Sequence, residues 1–359
     1  MKLQGIANYQ GVFLTMALGL GGVPAIFTVA QNFGHSFWLM ILATGLPGLV
    51  LYFFYRAMLK YSDGRDLPEI FLDAWGARSR IIVLALFVAY LLFWSAYFLL
   101  AGLELWSMVD GQRNPLVIYV LPALLLCVLT ARLGLTTLAR LSVFIVGLFI
   151  LIEVINTLFL LPDMDWRRVL PLSFGIGPHF GSLFAQLSAL LFGLLPLTLL
   201  FLPRLHQAKQ QAKKYLAFGM TLFFICLLLI SLRNVLLFGD MLQYENYPSF
   251  QALRLVEWSN AFLRLELLGL LAMLAVVLLF CMICLVALDK LVASYIGHKS
   301  PYTLPLAALA QGFMMLAIKK GVNLIDTSLP LMIATGSAAA MILLFFFTIL
   351  TLQKTIAKK

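Results

Sequence analysis

Charge is what this sequence has least of. Asp, Glu, Lys and Arg make up 11% of the 359 residues, whereas 63% are hydrophobic, a ratio that excludes an ordinary soluble domain. Histidine and cysteine are sparse, with four of each. His35, His179, His206 and His298 are scattered at the ends of apolar runs, so no metal-ligand spacing joins them. Cys127, Cys226, Cys281 and Cys284 sit inside apolar runs as small packing residues, which implies no disulfide framework. Cys281 and Cys284 have C-x-x-C spacing but lack flanking ligands and a soluble redox fold, so no metal or redox centre is expected. A nucleophile elbow, a phosphate loop and a dinucleotide fingerprint are also missing, so neither an enzyme nor a cofactor is expected. The N-terminal MKLQGIANYQ has one lysine and no small-residue cleavage site. The first apolar run is therefore expected to be its own membrane signal.

What is present is length of apolar sequence. The runs are long enough to cross about 30 Å of hydrocarbon as helices, and they lack the polar–apolar alternation of a barrel. The reading is an all-α integral membrane protein with ten spans, at 8–33, 37–59, 80–108, 115–131, 137–161, 180–203, 214–238, 262–293, 302–319 and 329–353. The formal charge of +10 is distributed by topology. With the N-terminus inside, seventeen Lys and Arg residues fall in inner segments, chiefly 56–80 and 204–214, and seven in outer ones. This bias puts both termini in the cytoplasm and makes membrane-lipid phosphate, not nucleic acid, the partner of the positive charge.

Ten spans with both ends inside divide into five plus five, the second five inverted, as repeats over about 8–161 and 180–353 of a single domain. Such a repeat predicts matching irregularities in spans one and six. Span one contains GLGGVPAIF (19–27), with Gly19, Gly21, Gly22 and Pro24, and span six contains Gly193 and Pro196. Proline suits the first turn of a helix, where its missing N–H costs nothing. Each span therefore reads as two half-helices meeting at unwound backbone, which survives at membrane depth only against protein or a cavity. The backbone at the two breaks could hold the carboxylate and ammonium of a small zwitterion such as an aliphatic amino acid. Val23, Ile26, Phe192, Leu194 and Leu195 would form an apolar pocket for its side chain. The bland alternative is that the glycines serve only close helix packing.

Span three adds Tyr90, Trp94, Tyr97, Ala101 and Glu104 on one helical face. Tyr97 is placed at the ligand. Glu104, near the outer end of the span, is expected to tune gating or a hydrated proton path, or else to be a snorkelled structural acid. In span five Glu153 and Asn156 share a face, and in span seven Arg233 and Asn234 are the strongly polar residues. Glu153 is expected either in an interior ion pair with Arg233 or on a proton path.

These residues, with YPSFQALRLVEWSNAFLRLELL at 247–268, resemble the spore germination permeases, the B subunits of nutrient germinant receptors, within the amino acid–polyamine–organocation transporter superfamily. Pro248, Ser249, Arg254, Arg264 and Glu266 look like that family's Pro-Ser/Thr motif, spaced Arg and Arg-x-Glu. ARLSVFIVGLFILI (139–152), LFLLPDMDW (158–166) and LFLPRLHQAKQQAKK (200–214) are similar to its fifth span, Pro-Asp exit and inner loop. In span six the chain departs from the family, with Leu195 and Pro196 where relatives often carry an acid, so no proton or cation role is carried over there. The resemblance implies a ten-span inverted-repeat fold in the inner membrane of a bacterial endospore. It also implies a complex with an A subunit and a lipoprotein C subunit, this chain sensing a small germinant, often an amino acid. The alternative is an autonomous proton-coupled amino acid transporter.

Overall fold

A computed structural model describes residues 8–357 apart from 63–66, 110, 112–113, 171–179, 194–196, 199–208, 256–264, 299 and 325–328. The described residues are helical, with no β-strand among them. The first apolar run is two helices, α1 (Asn8–Leu20) and α2 (Val23–Val29). They are followed by α3 (Phe37–Ser62), α4 (Leu67–Val109), α5 (Val117–Ala131), α6 (Leu135–Leu160) and α7 (Phe180–Phe192). After α8 (Lys209–Phe238) come the short α9 (Pro248–Leu255), then α10 (Leu265–Ile296), α11 (Thr303–Leu324) and α12 (Leu329–Ala357).

Six described segments are long and apolar enough to cross a membrane: Tyr9–Asn32, Gly34–Phe54, Ile81–Met108, Leu135–Asp163, Lys214–Tyr244 and Glu266–Ile296. Val117–Ala131, Phe180–Phe192 and Thr335–Thr348 are shorter apolar helices. α4 departs from the expectation of a loop before residue 80, because it starts at Leu67 and runs for 43 residues. Pro68 lies in its first turn, where the ring is tolerated, and Ile70 and Phe71 bury the early face. At about 1.5 Å per residue α4 is roughly twice as long as a bilayer core is thick.

Two segments form the centre. The apolar window of the first run is 89% buried and that of α10 83%, against 28% for α6. α6 instead shows Phe144, Leu148, Leu151, Val154 and Leu158 on its outer face, an apolar surface of the kind that meets lipid or another protein. The packing pairs recur in a regular way. α1 packs on α8 and α6, as α7 packs on α3 and α12; α4 packs on α11 and α12, as α10 packs on α5 and α6. Each pair turns into its counterpart when the helices of the first five apolar runs are exchanged in order for those of the second five.

Candidate functional site

α1 and α2 are separated by a turn at Gly21 and Gly22. α1 ends with the Gly21 N–H donating to Ala17 O at 3.0 Å and the Gly22 N–H to Gly19 O at 3.2 Å. α2 then opens with Ile26 N–H on Gly22 O at 2.9 Å and Pro24 in its first turn. Gly22 has φ −87°, a value open to any residue, so its backbone does not require glycine. Close approach does. A Cβ on Gly22 would lie 2.6 Å from the Phe98 ring, one on Gly21 would lie 2.5 Å from Phe280 Cβ, and one on Gly19 would lie 2.7 Å from the Phe223 ring. The glycines thus admit aromatic side chains against the backbone, the role that the close-packing alternative gave them.

α7 ends at Phe192, a buried residue, and Gly193 N–H closes on Ala189 O at 2.8 Å. Leu194, Leu195 and Pro196 lie outside the described residues. α2 packs against both α7 and α4, and α4 reaches both Gly22 and Gly193. The Tyr90 hydroxyl donates to Gly193 O, and a Cβ on Gly193 would lie 3.3 Å from Trp94 Cζ2. Tyr90, Trp94 and Phe98 continue as a ladder with ring centroids 6.0 and 5.3 Å apart, and Phe98 meets Phe280 at 5.2 Å. The Trp94 indole N–H is buried and has no hydrogen-bond partner. A buried donor without a partner costs about 1–3 kcal/mol, and such groups call for an explanation.

The other candidates divide. Val23 and Ile26 are buried beside the break. Tyr97 stacks on Phe93 at 6.1 Å and tilts against Phe98, one step away from the ladder. Phe98 and Phe280, which sequence reasoning did not single out, are the side chains against Gly21 and Gly22. Phe98 follows Trp94 by four residues, a spacing that could have found it. Phe280 stands in an apolar run without polar contrast, so no period marks it.

Glu153 Oε2 accepts from Arg233 Nη1 at 2.6 Å, with both side chains buried. Arg233 Nη2 also donates to Asn234 Oδ1 at 3.1 Å, and Asn234 Nδ2 donates to Ser249 Oγ at 2.9 Å. Thus Ser249, in the first turn of α9, is tied through α8 to α6. Asn156 does not join this network; its buried amide has no partner. A cleft of about 410 Å³ between α6 and α8 has Glu153 and Arg233 in an otherwise mostly apolar lining. Arg254 lies 3.9 Å from Glu266, and Arg264 falls outside the described residues. Glu104, at the far end of the α4 face, lies 3.9 Å from Lys319 of α11. Among the described residues no group of three His, Cys, Asp or Glu is placed to hold a metal ion.

Residues 6–324 match the profile of a family described as spore germination protein. A similar curated protein is YfkT of Bacillus subtilis (strain 168), a candidate spore germination protein, 24% identical over 267 residues that cover 72% of each chain. Among solved structures, Mhp1, a nucleobase-cation-symport-1 family transporter in a closed conformation with bromovinylhydantoin bound, superposes with a TM-score of 0.66 at 15% identity. The match covers 86% of this chain and 71% of that one. A Na+-coupled sialic acid symporter gives 0.68 at 12% identity, over 96% and 79% of the two chains. A manganese transporter of Eremococcus coleocola gives 0.58 at 14%, over 96% and 78%. The chain thus has the fold of these membrane transporters.

Proposed function

The chain belongs to the spore germination protein family, and from that premise we propose that it is the ligand-sensing transmembrane subunit of a nutrient germinant receptor. Its ligand is a small zwitterion such as an aliphatic amino acid, held where the break at Gly21–Gly22 approaches Gly193 at the end of α7. The observation that carries this reading is the Trp94 indole N–H, buried without a partner beside Gly193. It supplies a donor for a carboxylate at membrane depth, where an unmet donor is costly. Val23 and Phe192, with Tyr97 one step further along α4, complete the surroundings. The Phe98–Phe280 contact lies over the break, so ligand entry requires these rings to turn aside. Their movement is the local event that α4 and α10 pass to the rest of the bundle.

The receptor setting is an A subunit and a C subunit around this chain in the inner membrane of the endospore. The chain crosses ten times, with the five-plus-five inverted repeat suggested by the exchange of packing pairs and both termini cytoplasmic. Glu104, 3.9 Å from Lys319, serves as an outer gating residue. Glu153, held by Arg233, fixes α6 to α8.

Trp94→Phe keeps the ring and removes the donor. Ligand affinity should fall about tenfold at normal protein level and subunit assembly; unchanged affinity overturns the site. Cysteines introduced at Ser62 and Gln243 test the orientation, and labelling of Ser62 from the outer face overturns it. The transporter fold favours one alternative, an autonomous proton-coupled amino acid transporter. Concentrative amino acid uptake by the chain alone in proteoliposomes would select it over a sensor.

A further inference from the structure

The contact between Glu104 and Lys319 forms part of a second polar feature, remote from the break. A cavity of about 380 Å³, within the size range of small-molecule sites, is lined by Glu104, Ser107, Asn114, Tyr247 and Lys319. Four stretches converge on it: the last turns of α4, the residues ahead of α5, the residue ahead of α9, and α11. Glu104 Oε1 and Lys319 Nζ stand 3.9 Å apart with side chains 40% and 37% exposed. That separation is beyond a hydrogen bond, so the carboxylate and the ammonium face the same cavity without binding each other. Tyr247 is buried, and burial together with the Glu104 charge pushes its phenol above the ordinary range. It stays a neutral O–H group at the wall.

We propose that this cavity is a capture site for a free α-amino acid zwitterion, whose ammonium binds Glu104 and whose carboxylate binds Lys319. The selectivity follows from charge. A simple anion meets repulsion from Glu104, and a simple cation meets it from Lys319. A molecule with both charges on one carbon satisfies both residues and replaces one loose contact by two charge-assisted hydrogen bonds. Glu104 lies six residues beyond Phe98 on α4, about 9 Å along the helix axis. The proposal rests on the amino acid reading above for its ligand class, but its residues are separate from those at the break.

The test is equilibrium dialysis of the full chain in nanodiscs against each of the twenty natural L-amino acids in labelled form. At least one should bind at two sites. Lys319→Gln and Glu104→Gln should each weaken one site by about tenfold or more and spare the other, while Lys319→Arg retains it. Trp94→Phe should weaken only the other site. The methyl ester of the bound amino acid, lacking the carboxylate, should bind the capture site equally in parent and Lys319→Gln protein. Unchanged binding in both charge variants, or equal losses for acid and ester in Lys319→Gln, overturns the capture site. Sensitivity to Lys319→Gln with none to Trp94→Phe overturns the break site alone. The absence of any bound amino acid overturns both.

Discussion

Among the acid–base pairs between helices, two differ in almost every physical respect. Glu153 and Arg233 meet at 2.6 Å with 6% and 1% of their side chains exposed, and Asn234 and Ser249 extend their hydrogen bonding. Glu104 and Lys319 stand at 3.9 Å, each more than a third exposed, on the wall of a cavity. Removing one partner of the first pair leaves a bare charge inside the bundle, so that pair is fixed. Removing one partner of the second leaves a charge that water can solvate, so that pair can exchange its partner for a ligand. Opposite charges across two helices therefore serve as a clamp in one case and as a receptor in the other, and burial decides between them.

The largest expected effect tests the clamp. Arg233→Ala or Glu153→Ala alone should destabilise by about 3–5 kcal/mol, seen as loss of monodisperse protein and a lower thermal midpoint. Replacing both by Met and Leu should recover much of that loss. If the double variant is as unstable as the sum of the singles, the clamp reading fails.

A smaller effect is expected at the break, where neither charge pair acts. Gly22→Val brings a side chain into the Phe98 ring, an overpacking cost of about 1–3 kcal/mol, and should abolish the response to germinant in spores. Phe98→Ala in the same chain should restore protein level by opening the space. Full germination by Gly22→Val at normal protein level would remove the break from the mechanism.

Glu104→Gln should change the thermal midpoint little, since half-exposed pairs are worth at most about 1 kcal/mol, yet it should weaken amino acid binding. A large stability loss with binding intact would place this pair with the clamp.

The smallest effect concerns pH and an acid outside the spans. Asp165 accepts from the Arg167 side chain at 3.1 Å and from its backbone N–H at 3.0 Å, which holds its carboxyl below the ordinary range. A depressed folded-state value gives stability that is present above the ordinary carboxylate pKa and lost as pH falls through the depressed one. Acidification below about pH 4 should therefore speed proteolytic nicking near Asp165 in the parent, and Asp165→Asn should remove that dependence.

The sequence by itself determined the class of the protein and much of its local form. Apolar runs of membrane length specify helices, because a backbone in lipid must satisfy its own hydrogen bonds. The two glycines ahead of Pro24 mark where α1 stops and α2 starts, since proline fits a first turn and disrupts an interior one. The polar face of span three and the isolated charges of spans five and seven were visible against an apolar background. Tertiary structure decided which of these groups meet. Lys319 reads in sequence as an orientation signal, and only the packing of α11 on α4 makes it the partner of Glu104. Ser249 becomes the acceptor for Asn234 only when α9 folds onto α8. Phe280, one of many apolar residues in α10, is set against Gly21 by helix packing alone. Periodicity fixes the face that a residue occupies on its own helix, whereas distance to a residue 200 positions away depends on how the helices are arranged, and in a uniformly apolar segment the sequence offers no contrast to encode it.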